Sequence, residues 1–280
     1  MDGRNITQAL VASFARQLRE EERSCRTIEK YIREIRQLAA FLEGEPVTKA
    51  AAAAWKQWLQ QKYMPSTVNG KLAALDRFLT FMGWEECRVR HLRLQRRLFR
   101  EASRELSRAE YDRLLQAAQR QGKERLALLM ETICATGIRV SEVHDITVEA
   151  VGAGKAEIAL KGKIRTILLP GKLCHKLRKY AKRQKIASGE LFLTRSGRPI
   201  SRKQIWAEMK AICRAAGVEA SKVFPHNLRH LFARCFYRAC RDVARLADVL
   251  GHSSIETTRI YLLSTGAEHA EILNRLRLIS

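Results

Sequence analysis

Some features that mark other classes of protein are missing from this sequence of 280 residues. It has no run of 18 or more apolar residues and no apolar signal-peptide segment near residue 1, so we expect no membrane-spanning helix and a soluble, cytoplasmic protein. It also lacks the Gly-x-x-x-x-Gly-Lys-Ser/Thr motif of a phosphate-binding loop. We therefore expect chemistry that does not consume ATP.

The seven cysteines are scattered along the chain, and none belongs to a Cys-x-x-Cys pair of the kind found in zinc sites. This pattern predicts reduced thiols rather than a disulfide framework. We expect no metal and no cofactor. Cys235 and Cys240 lie near a histidine-rich motif described below, and we expect them to be core residues rather than nucleophiles.

Acidic residues are scarce relative to basic ones. The chain has 52 Lys and Arg residues against 29 Asp and Glu residues, which gives a formal net charge of +23. A polyanion is therefore the expected partner, and nucleic acid is the leading candidate. Charge alone does not separate a DNA-binding protein from an RNA-binding one. The hydrophobic content of 46% is sufficient for a substantial core in one large domain or two modest ones.

The first part of the chain predicts a small helical bundle. Between residues 6 and 83, apolar residues recur at the spacing of a helix face, as in Ile28 and Ile32. Breaks at residues 43–46, Pro65 and Gly83 divide this part into about four helices. We therefore predict a helical domain over residues 1–94.

Residues 95–104 are strongly basic and show little apolar periodicity. They predict a linker between two domains. The linker is either a solvated connector or a segment that lies along a DNA backbone.

A second domain is predicted over residues 105–280. Ser107 and Glu110 have the spacing of a capping box at the start of a helix. Two short apolar runs flank residues 161–163 and predict a β-hairpin, whereas the patterns before and after it predict helices. The expected fold class is therefore α+β, mainly α with a small β-hairpin.

Residues suited to chemistry on a phosphate follow one another in this second domain. Taken singly they are ordinary; Arg139 and Glu142, for example, have the spacing of an ion pair on a helix surface. Together they form an ordered series of a Thr-Gly-x-Arg-x-x-Glu segment, a lysine hairpin, a His-x-x-Arg box, a Leu-Gly-His segment and a tyrosine. The members that could do chemistry are Arg139, Glu142, Lys161, His226, Arg229, His252 and Tyr261.

This order and spacing resembles the catalytic domain of the tyrosine recombinase family, which includes phage integrases and bacterial Xer recombinases. The resemblance covers residues 105–266, and the helical first domain is similar to the family's core-binding domain. It implies a site-specific enzyme that cleaves and rejoins DNA strands through a 3'-phosphotyrosine intermediate, in integration, excision or resolution. It also implies double-stranded DNA as the partner, clamped between the two domains, and four protomers assembled on two sites.

The residue types fit the chemistry that the resemblance implies. A phosphodiester under in-line attack gains negative charge on its equatorial oxygens, which the permanently charged, fork-shaped guanidinium groups of Arg139 and Arg229 could clamp. A tyrosine ordinarily has a pKa of about 10, so the nucleophile, Tyr261, needs a proton acceptor. His226 is the candidate acceptor. His252 is expected to donate a hydrogen bond to a phosphate oxygen.

The leaving 5'-oxygen needs a proton, which a lysine on the hairpin can supply. Lys161 is the first candidate because its Lys-Gly turn resembles the family pattern, and Lys163 on the same turn is the alternate. Glu142 is expected to orient a cationic side chain. His230, one residue after the His-x-x-Arg box, is interpreted as structural or backbone-contacting.

Residues 266–279 predict a C-terminal helix with Ile272, Leu273 and Leu276 on one side. This helix either packs on the core of its own chain or, as the family resemblance implies, docks on a neighbouring protomer.

Three other functions stay open at this point. A regulatory DNA-binding protein could keep the same fold without cutting DNA. An RNA-binding protein with chance motif matches predicts that Arg139, Arg229 and Tyr261 do not converge. A type IB topoisomerase would use similar phosphotyrosine chemistry without strand exchange.

Overall fold

The protein is described here by a computed structural model, which divides into two compact units, one within residues 1–96 and the other within residues 97–280. Helices dominate both units, and a two-stranded antiparallel sheet lies in the second. The predicted fold class, mainly α with a small β-hairpin, is confirmed. The structure describes residues 4–94, 102–160, 163–252, 254–261, 271 and 274–276.

The first unit is a helical bundle. Its elements are α1 (Gln8–Glu20), α2 (Cys25–Leu42), α3 (Lys49–Lys62), α4 (Pro65–Met82) and a 3₁₀ helix at Glu85–Cys87. The side chains of Thr7, Ser24 and Thr48 cap the first three helices by accepting a hydrogen bond from a backbone N–H. Two predicted breaks are confirmed, because Pro65 begins α4 and Gly83 ends it with a φ of +67°.

Aromatic side chains fill much of the core of this first unit. Phe14 and Phe78 meet edge to face with their ring centroids 5.3 Å apart, and Trp55 is fully buried. An ion pair between Glu34 and Lys71 is also buried in this unit. Lys71 therefore depends on Glu34, because removing the carboxylate leaves an uncompensated buried charge, whereas Glu34 also pairs with Arg33 at 2.7 Å.

The second unit contains the sheet and further helices. Its helices are α5 (Arg108–Arg120), α6 (Glu124–Thr136), α7 (Val148–Ala153), α8 (Gly171–Arg183), α9 (Arg202–Ala211), α10 (Cys213–Ala216), α11 (Pro225–Cys240), α12 (Val243–Leu250) and α13 (Ile255–Arg259), with 3₁₀ helices at Ala102–Arg104, Val140–Asp145 and Ala220–Lys222. Ser107 and Glu110 form the predicted capping box at the start of α5. Within the described ranges, no helix of either unit is both long enough and apolar enough to cross a bilayer.

The predicted β-hairpin is confirmed. Strands β1 (Lys155–Leu160) and β2 (Lys163–Leu168) pair antiparallel. One side of β2 buries Ile167 against the core, whereas the other side leaves Ile164 74% and Leu168 76% exposed. Aliphatic residues therefore occupy both sides of this strand.

Helix α6 lies against α5 and α11 and is buried along most of its length. It ends at Gly137, which has a φ of +66°. A Cβ atom at this position would come within 2.6 Å of Cε1 of Phe232 on α11. A glycine is needed here both for the backbone conformation and for the close approach of α11, and this approach brings the segment that follows α6 to the start of α11.

Two local expectations are wrong. The spacing of Arg139 and Glu142 predicts a pair on a helix surface, but Arg139 is the N-cap residue of a 3₁₀ helix, so its backbone is extended and only the later residues are helical. The two cysteines near the histidine-rich motif are not core residues. Cys235 lies on the exposed side of α11, and Cys240 is half-buried at its end.

We expect Gly137→Ala to lower the free energy of unfolding by at least about 2 kcal/mol, because the added methyl group meets Phe232 and the residue also keeps a positive φ. Gly122→Ala is the matched control. Gly122 has a φ of +65°, but a Cβ there would have no atom within 4 Å, so only the conformational cost of about 1 kcal/mol should appear. Chemical denaturation of both variants measures the difference, and equal losses would contradict the importance of the Phe232 contact.

Candidate active site

The first turns of α11 carry the predicted His-x-x-Arg box. His226, Arg229 and His230 are spaced three and four residues apart, so they lie on one side of the helix. Asn227 lies next to them and is buried, and its Nδ2 donates hydrogen bonds to two backbone oxygens at 2.8 and 2.7 Å. These bonds fix the start of α11 to the chain that precedes it.

Arg229 is only 2% exposed, and its guanidinium group is held at several points. Its Nη2 donates to the backbone oxygen of Leu250 at 2.8 Å and lies 2.9 Å from Nε2 of His252. Its Nη1 donates to the backbone oxygen of Gly137. Burial lowers the pKa of Arg229, and a hydrogen bond with the side chain of Tyr261 opposes this effect. A guanidinium group stays charged under such shifts.

Arg139 pairs with the buried carboxylate of Glu142. Its Nη1 donates to Oε1 of Glu142 at 2.8 Å, and its backbone N–H donates to Oε2 at 2.9 Å. Its Nη2 donates to the backbone oxygen of Gly251 at 3.3 Å. Glu142 is 4% exposed, so the pair is a fixed part of the site rather than a mobile surface ion pair.

The C-terminal end of α12 supplies backbone acceptors to these arginines. Leu250 is the last residue of the helix, and Gly251 ends it with a φ of +62°. The last carbonyl oxygens of a helix have no partner within the helix and carry partial negative charge, which stabilises cations. The end of α12 therefore holds both Arg139 and Arg229.

A third arginine, Arg165 on β2, lies in the same cluster, although the sequence motifs did not single it out. Its Nη2 donates to Oε2 of Glu142 at 2.6 Å, and its Nη1 donates to the backbone oxygen of Leu250. Arg165 lies on the same side of β2 as the buried Ile167. A charged residue on the buried side of a strand would be a signal, but Ile164 and Leu168 on the other side hide which side of β2 is buried.

Tyr261 follows α13 and packs against three histidine rings. Its ring centroid lies 4.4 Å from that of His230, in an edge-on arrangement, and 5.8 Å from that of His252, with the planes 16° apart. The ring of His226 is 6.2 Å away. Tyr261 is only 3% exposed. The nucleophile expected from the sequence is therefore enclosed by the residues expected to act with it.

The tautomer of His252 follows from its two partners. Arginine only donates hydrogen bonds, so Nε2 of His252 accepts from Arg229. The ring proton is then on Nδ1, which lies 2.8 Å from Oγ1 of the fully buried Thr258. In this arrangement His252 has no free N–H group for a phosphate oxygen.

All three histidines have lowered pKa values. Desolvation is the largest cause in each case, and neighbouring cations add to it. The pKa of His230 falls to about 3 and that of His252 to about 4, and the pKa of His226 is also lowered. The three rings are therefore neutral at pH 7, and a neutral imidazole has one nitrogen that can accept a proton.

The structure brings together six of the residues that the sequence motifs singled out: Arg139, Glu142, His226, Arg229, His252 and Tyr261. This convergence is the opposite of what an RNA-binding protein with chance motif matches predicts. Lys161 lies outside the described residues, and Lys163 begins β2. The linker lies outside them at residues 95–101, as does the tail helix except for residues 271 and 274–276. No three His, Cys, Asp or Glu side chains group as metal ligands would in the described parts of the chain.

Comparison with known proteins agrees with this geometry. Residues 104–268, more than half of the chain, match the phage integrase family. The chain is 29% identical to the tyrosine recombinase XerA of Pyrococcus furiosus, over 100% of this chain and 98% of that relative. It is 30% identical to the tyrosine recombinase XerC of Roseiflexus castenholzii, over 90% of this chain and 87% of that relative.

Solved structures share the fold. A lambda integrase tetramer bound to a Holliday junction matches with a TM-score of 0.71 and 18% identity, over 90% of this chain and 76% of that one. The XerH site-specific recombinase, in a pre-cleavage complex with its difH substrate, matches with a TM-score of 0.69 and 17% identity, over 97% of this chain and 90% of that one.

Fold, site and relatives together define a class of enzyme, the site-specific DNA recombinases of the tyrosine type. Within this class, the chain belongs to the phage integrase family. The resemblance inferred from the sequence motifs is thereby confirmed.

The neutral histidines predict how stability depends on pH. The pKa of His230 is lowered to about 3 in the folded chain, whereas a histidine ordinarily has a pKa of about 6.5. Between these two pH values, the unfolded chain binds a proton at this residue and the folded chain does not. The free energy of unfolding should therefore fall as the pH falls through this window. We expect His230→Asn to flatten this dependence, measured by urea denaturation at pH 4.5, 5.5, 6.5 and 7.5.

The matched control is His175→Asn, which removes an exposed histidine from α8. It should leave the dependence on pH unchanged. An unchanged slope in His230→Asn, or a slope flattened equally in both variants, would show that the half-buried ring of His230 is not the group excluded from protonation.

Proposed function

We propose that this recombinase cuts and rejoins DNA strands through a 3'-phosphotyrosine intermediate formed by Tyr261. The observation that supports it most is the packing of Tyr261 between His230 and His252, with its hydroxyl group bonded to Arg229. A nucleophile, fixed cations and neutral proton acceptors then lie within one cluster, as transfer of a phosphoryl group to a protein side chain requires.

In the proposed step, Oη of Tyr261 attacks the phosphorus atom, a new P–O bond forms, and the bond to the 5'-oxygen breaks. Arg139 and Arg229 meet the negative charge that develops on the nonbridging oxygens. Both guanidinium groups are already held by backbone oxygens, and Arg139 is held by Glu142 as well, so little reorganisation is needed during the reaction. Religation is the reverse step, with a 5'-hydroxyl group attacking the phosphotyrosine.

His226 is the proposed acceptor of the proton that Tyr261 loses. Its neutral form fits this role, because desolvation and the charges of Arg229 and Arg139 lower its pKa.

The bound phosphate also changes the role of His252. When a phosphate oxygen replaces Nε2 of His252 as the acceptor for Arg229, the negative charge raises the pKa of the histidine, which can then take up a proton and donate to the phosphate.

Cleavage requires a rearrangement at Tyr261. Tyr261 is 3% exposed and Arg229 is 2% exposed, so a DNA phosphate cannot touch both of them in the arrangement described above. We propose that DNA binding displaces the ring of Tyr261 from the histidines. This movement uncovers Arg229 for the phosphate and the hydroxyl group for attack.

We further propose that double-stranded DNA is bound by a helical domain at residues 1–94 and a catalytic domain at residues 105–280, with the basic linker at residues 95–104 along the backbone. The net charge of +23 supports strong, salt-sensitive contacts with phosphates. The lambda integrase tetramer on a Holliday junction supports four protomers on two sites. Acting on DNA inside a cell, the enzyme would work in the cytoplasm, in integration, excision or resolution.

We expect wild-type enzyme to form a covalent adduct with DNA and Tyr261→Phe to form none, because the phenylalanine lacks the attacking oxygen. A denaturing gel run with nicked or half-site DNA from the region flanking the gene measures the adduct. The dissociation constant of Tyr261→Phe should stay within about threefold of wild type, since the lost group is not a phosphate contact in the ground state. An adduct formed by Tyr261→Phe would disprove the assignment, and tight binding without an adduct in wild type would favour a non-cutting DNA-binding protein.

The proton donor to the leaving 5'-oxygen is proposed to be Lys161, with Lys163 as the alternate. We expect Lys161→Ala to slow cleavage of ordinary DNA at least about 100-fold, because general acid catalysis contributes about 10²- to 10⁴-fold. On DNA with a 5'-bridging sulfur at the cleaved bond, the leaving thiolate needs no proton. Single-turnover cleavage of this DNA by Lys161→Ala should therefore approach the wild-type rate.

Lys163→Ala is the matched comparison, since it removes the same group two residues away. It should cleave both substrates with similar loss or none. Recovery of Lys163→Ala instead of Lys161→Ala would transfer the role to Lys163, and recovery of neither variant would remove the role from this turn.

A further inference from the structure

Arg165 is a charged group at the centre of the site that the proposed chemistry does not use. Its side chain is 15% exposed, and its two terminal nitrogens donate to protein atoms: Oε2 of Glu142 and the backbone oxygen of Leu250. Both of these acceptors belong to the cluster that holds Arg139 and Arg229. Its role has to be sought in what it holds in place.

Each acceptor of Arg165 is shared with one of the two arginines assigned to the phosphate. The carboxylate of Glu142 also binds Arg139, and the backbone oxygen of Leu250 also binds Arg229. Among the described residues, Arg165 is therefore the one side chain that hydrogen-bonds to a partner of each of the two arginines. A shift of Arg165 would move both acceptors together.

Gly251 gives independent support for this arrangement. A Cβ atom on Gly251 would come within 2.7 Å of Nη1 of Arg165, so the side chain of Arg165 lies directly against the backbone at this position. The same glycine offers its backbone oxygen to Arg139 and is followed by His252. Arg165 is thus packed against the loop that joins the end of α12 to a proposed catalytic histidine.

We propose that Arg165 is a positioning residue of the cleavage reaction, which holds Glu142 and the end of α12 so that Arg139 and Arg229 face the same phosphate. This inference rests on the phosphate-clamping role given to those two arginines under the proposed function. Arg165 does not itself contact the DNA. It acts on the reaction through its two shared acceptors.

The first test separates binding from cleavage in Arg165→Ala. We expect single-turnover cleavage to fall about 100-fold, the loss typical of a misplaced reacting group, while the dissociation constant for DNA stays within about threefold. Arg165→Lys keeps the charge but cannot reproduce a planar donor that reaches two acceptors, so it should stay at least about tenfold slower than wild type. Thr166→Ala, on the exposed side of the same strand, is the matched control and should cleave at the wild-type rate.

The second test uses DNA in which a methyl group replaces one nonbridging oxygen of the cleaved phosphate. This neutral group needs less help from cations than a phosphate anion does. If Arg165 acts by placing Arg139 and Arg229, the defect of Arg165→Ala relative to wild type should shrink at least about tenfold on this DNA, in parallel with that of Arg139→Ala. A general loss of folding would lower cleavage of both substrates equally.

Arg139→Ala separates the possible failures. If its defect shrinks on the neutral substrate and that of Arg165→Ala does not, the positioning role is wrong and the proposed function stands. If neither defect shrinks, the arginine clamp is wrong and this inference falls with it. Cleavage of ordinary DNA by Arg165→Ala or Arg165→Lys at the wild-type rate also overturns the inference, and melting temperatures identify any variant that does not fold.

Discussion

The site depends on one buried carboxylate, that of Glu142, and on its two arginine partners. A buried carboxylate without a partner costs several kcal/mol, and so does a buried guanidinium group. Here Arg139 and Arg165 bind the same carboxylate, and the carbonyl oxygens at the end of α12 take further N–H groups from them and from Arg229. Three guanidinium groups against one carboxylate leave two positive charges uncompensated in the cluster. In the proposed reaction, a DNA phosphate supplies the charge that the protein lacks.

Burial, and after it the same excess of positive charge, lowers the pKa values of the histidines. A charged imidazole beside Arg139 and Arg229 would add to the repulsion, so the rings of His226 and His252 stay neutral. A phosphate entering the cluster reverses this effect, since its negative charge favours protonation of the rings beside it. The ability of the histidines to take up a proton is therefore coupled to the presence of the phosphate whose cleavage needs it. The enzyme does not have to hold a charged histidine before DNA arrives.

Much of this site could be predicted from the sequence, because its side chains lie in short motifs whose order along the chain is distinctive. Arg165 could not, since Ile164 and Leu168 make the outer side of β2 as aliphatic as the inner side and hide the alternation that marks a buried face. The burial of Tyr261 depends on its packing against His230 on α11, which no local pattern specifies. The acceptors at Gly137 and Leu250 are backbone oxygens, and sequence motifs carry no information about which arginine reaches them.

The two motif glycines, Gly137 and Gly251, explain how so much positive charge is held before DNA binds. Anions are commonly bound at the N-terminal ends of helices, where backbone N–H groups point at the ligand. Here α6 and α12 turn their C-terminal ends to the site, and their terminal carbonyl oxygens hold arginines. The negative ends of these helices stabilise cations that would otherwise repel one another. Because each helix ends in a glycine against which another chain segment packs closely, a side chain at either position would move a carbonyl oxygen and the arginine that it holds.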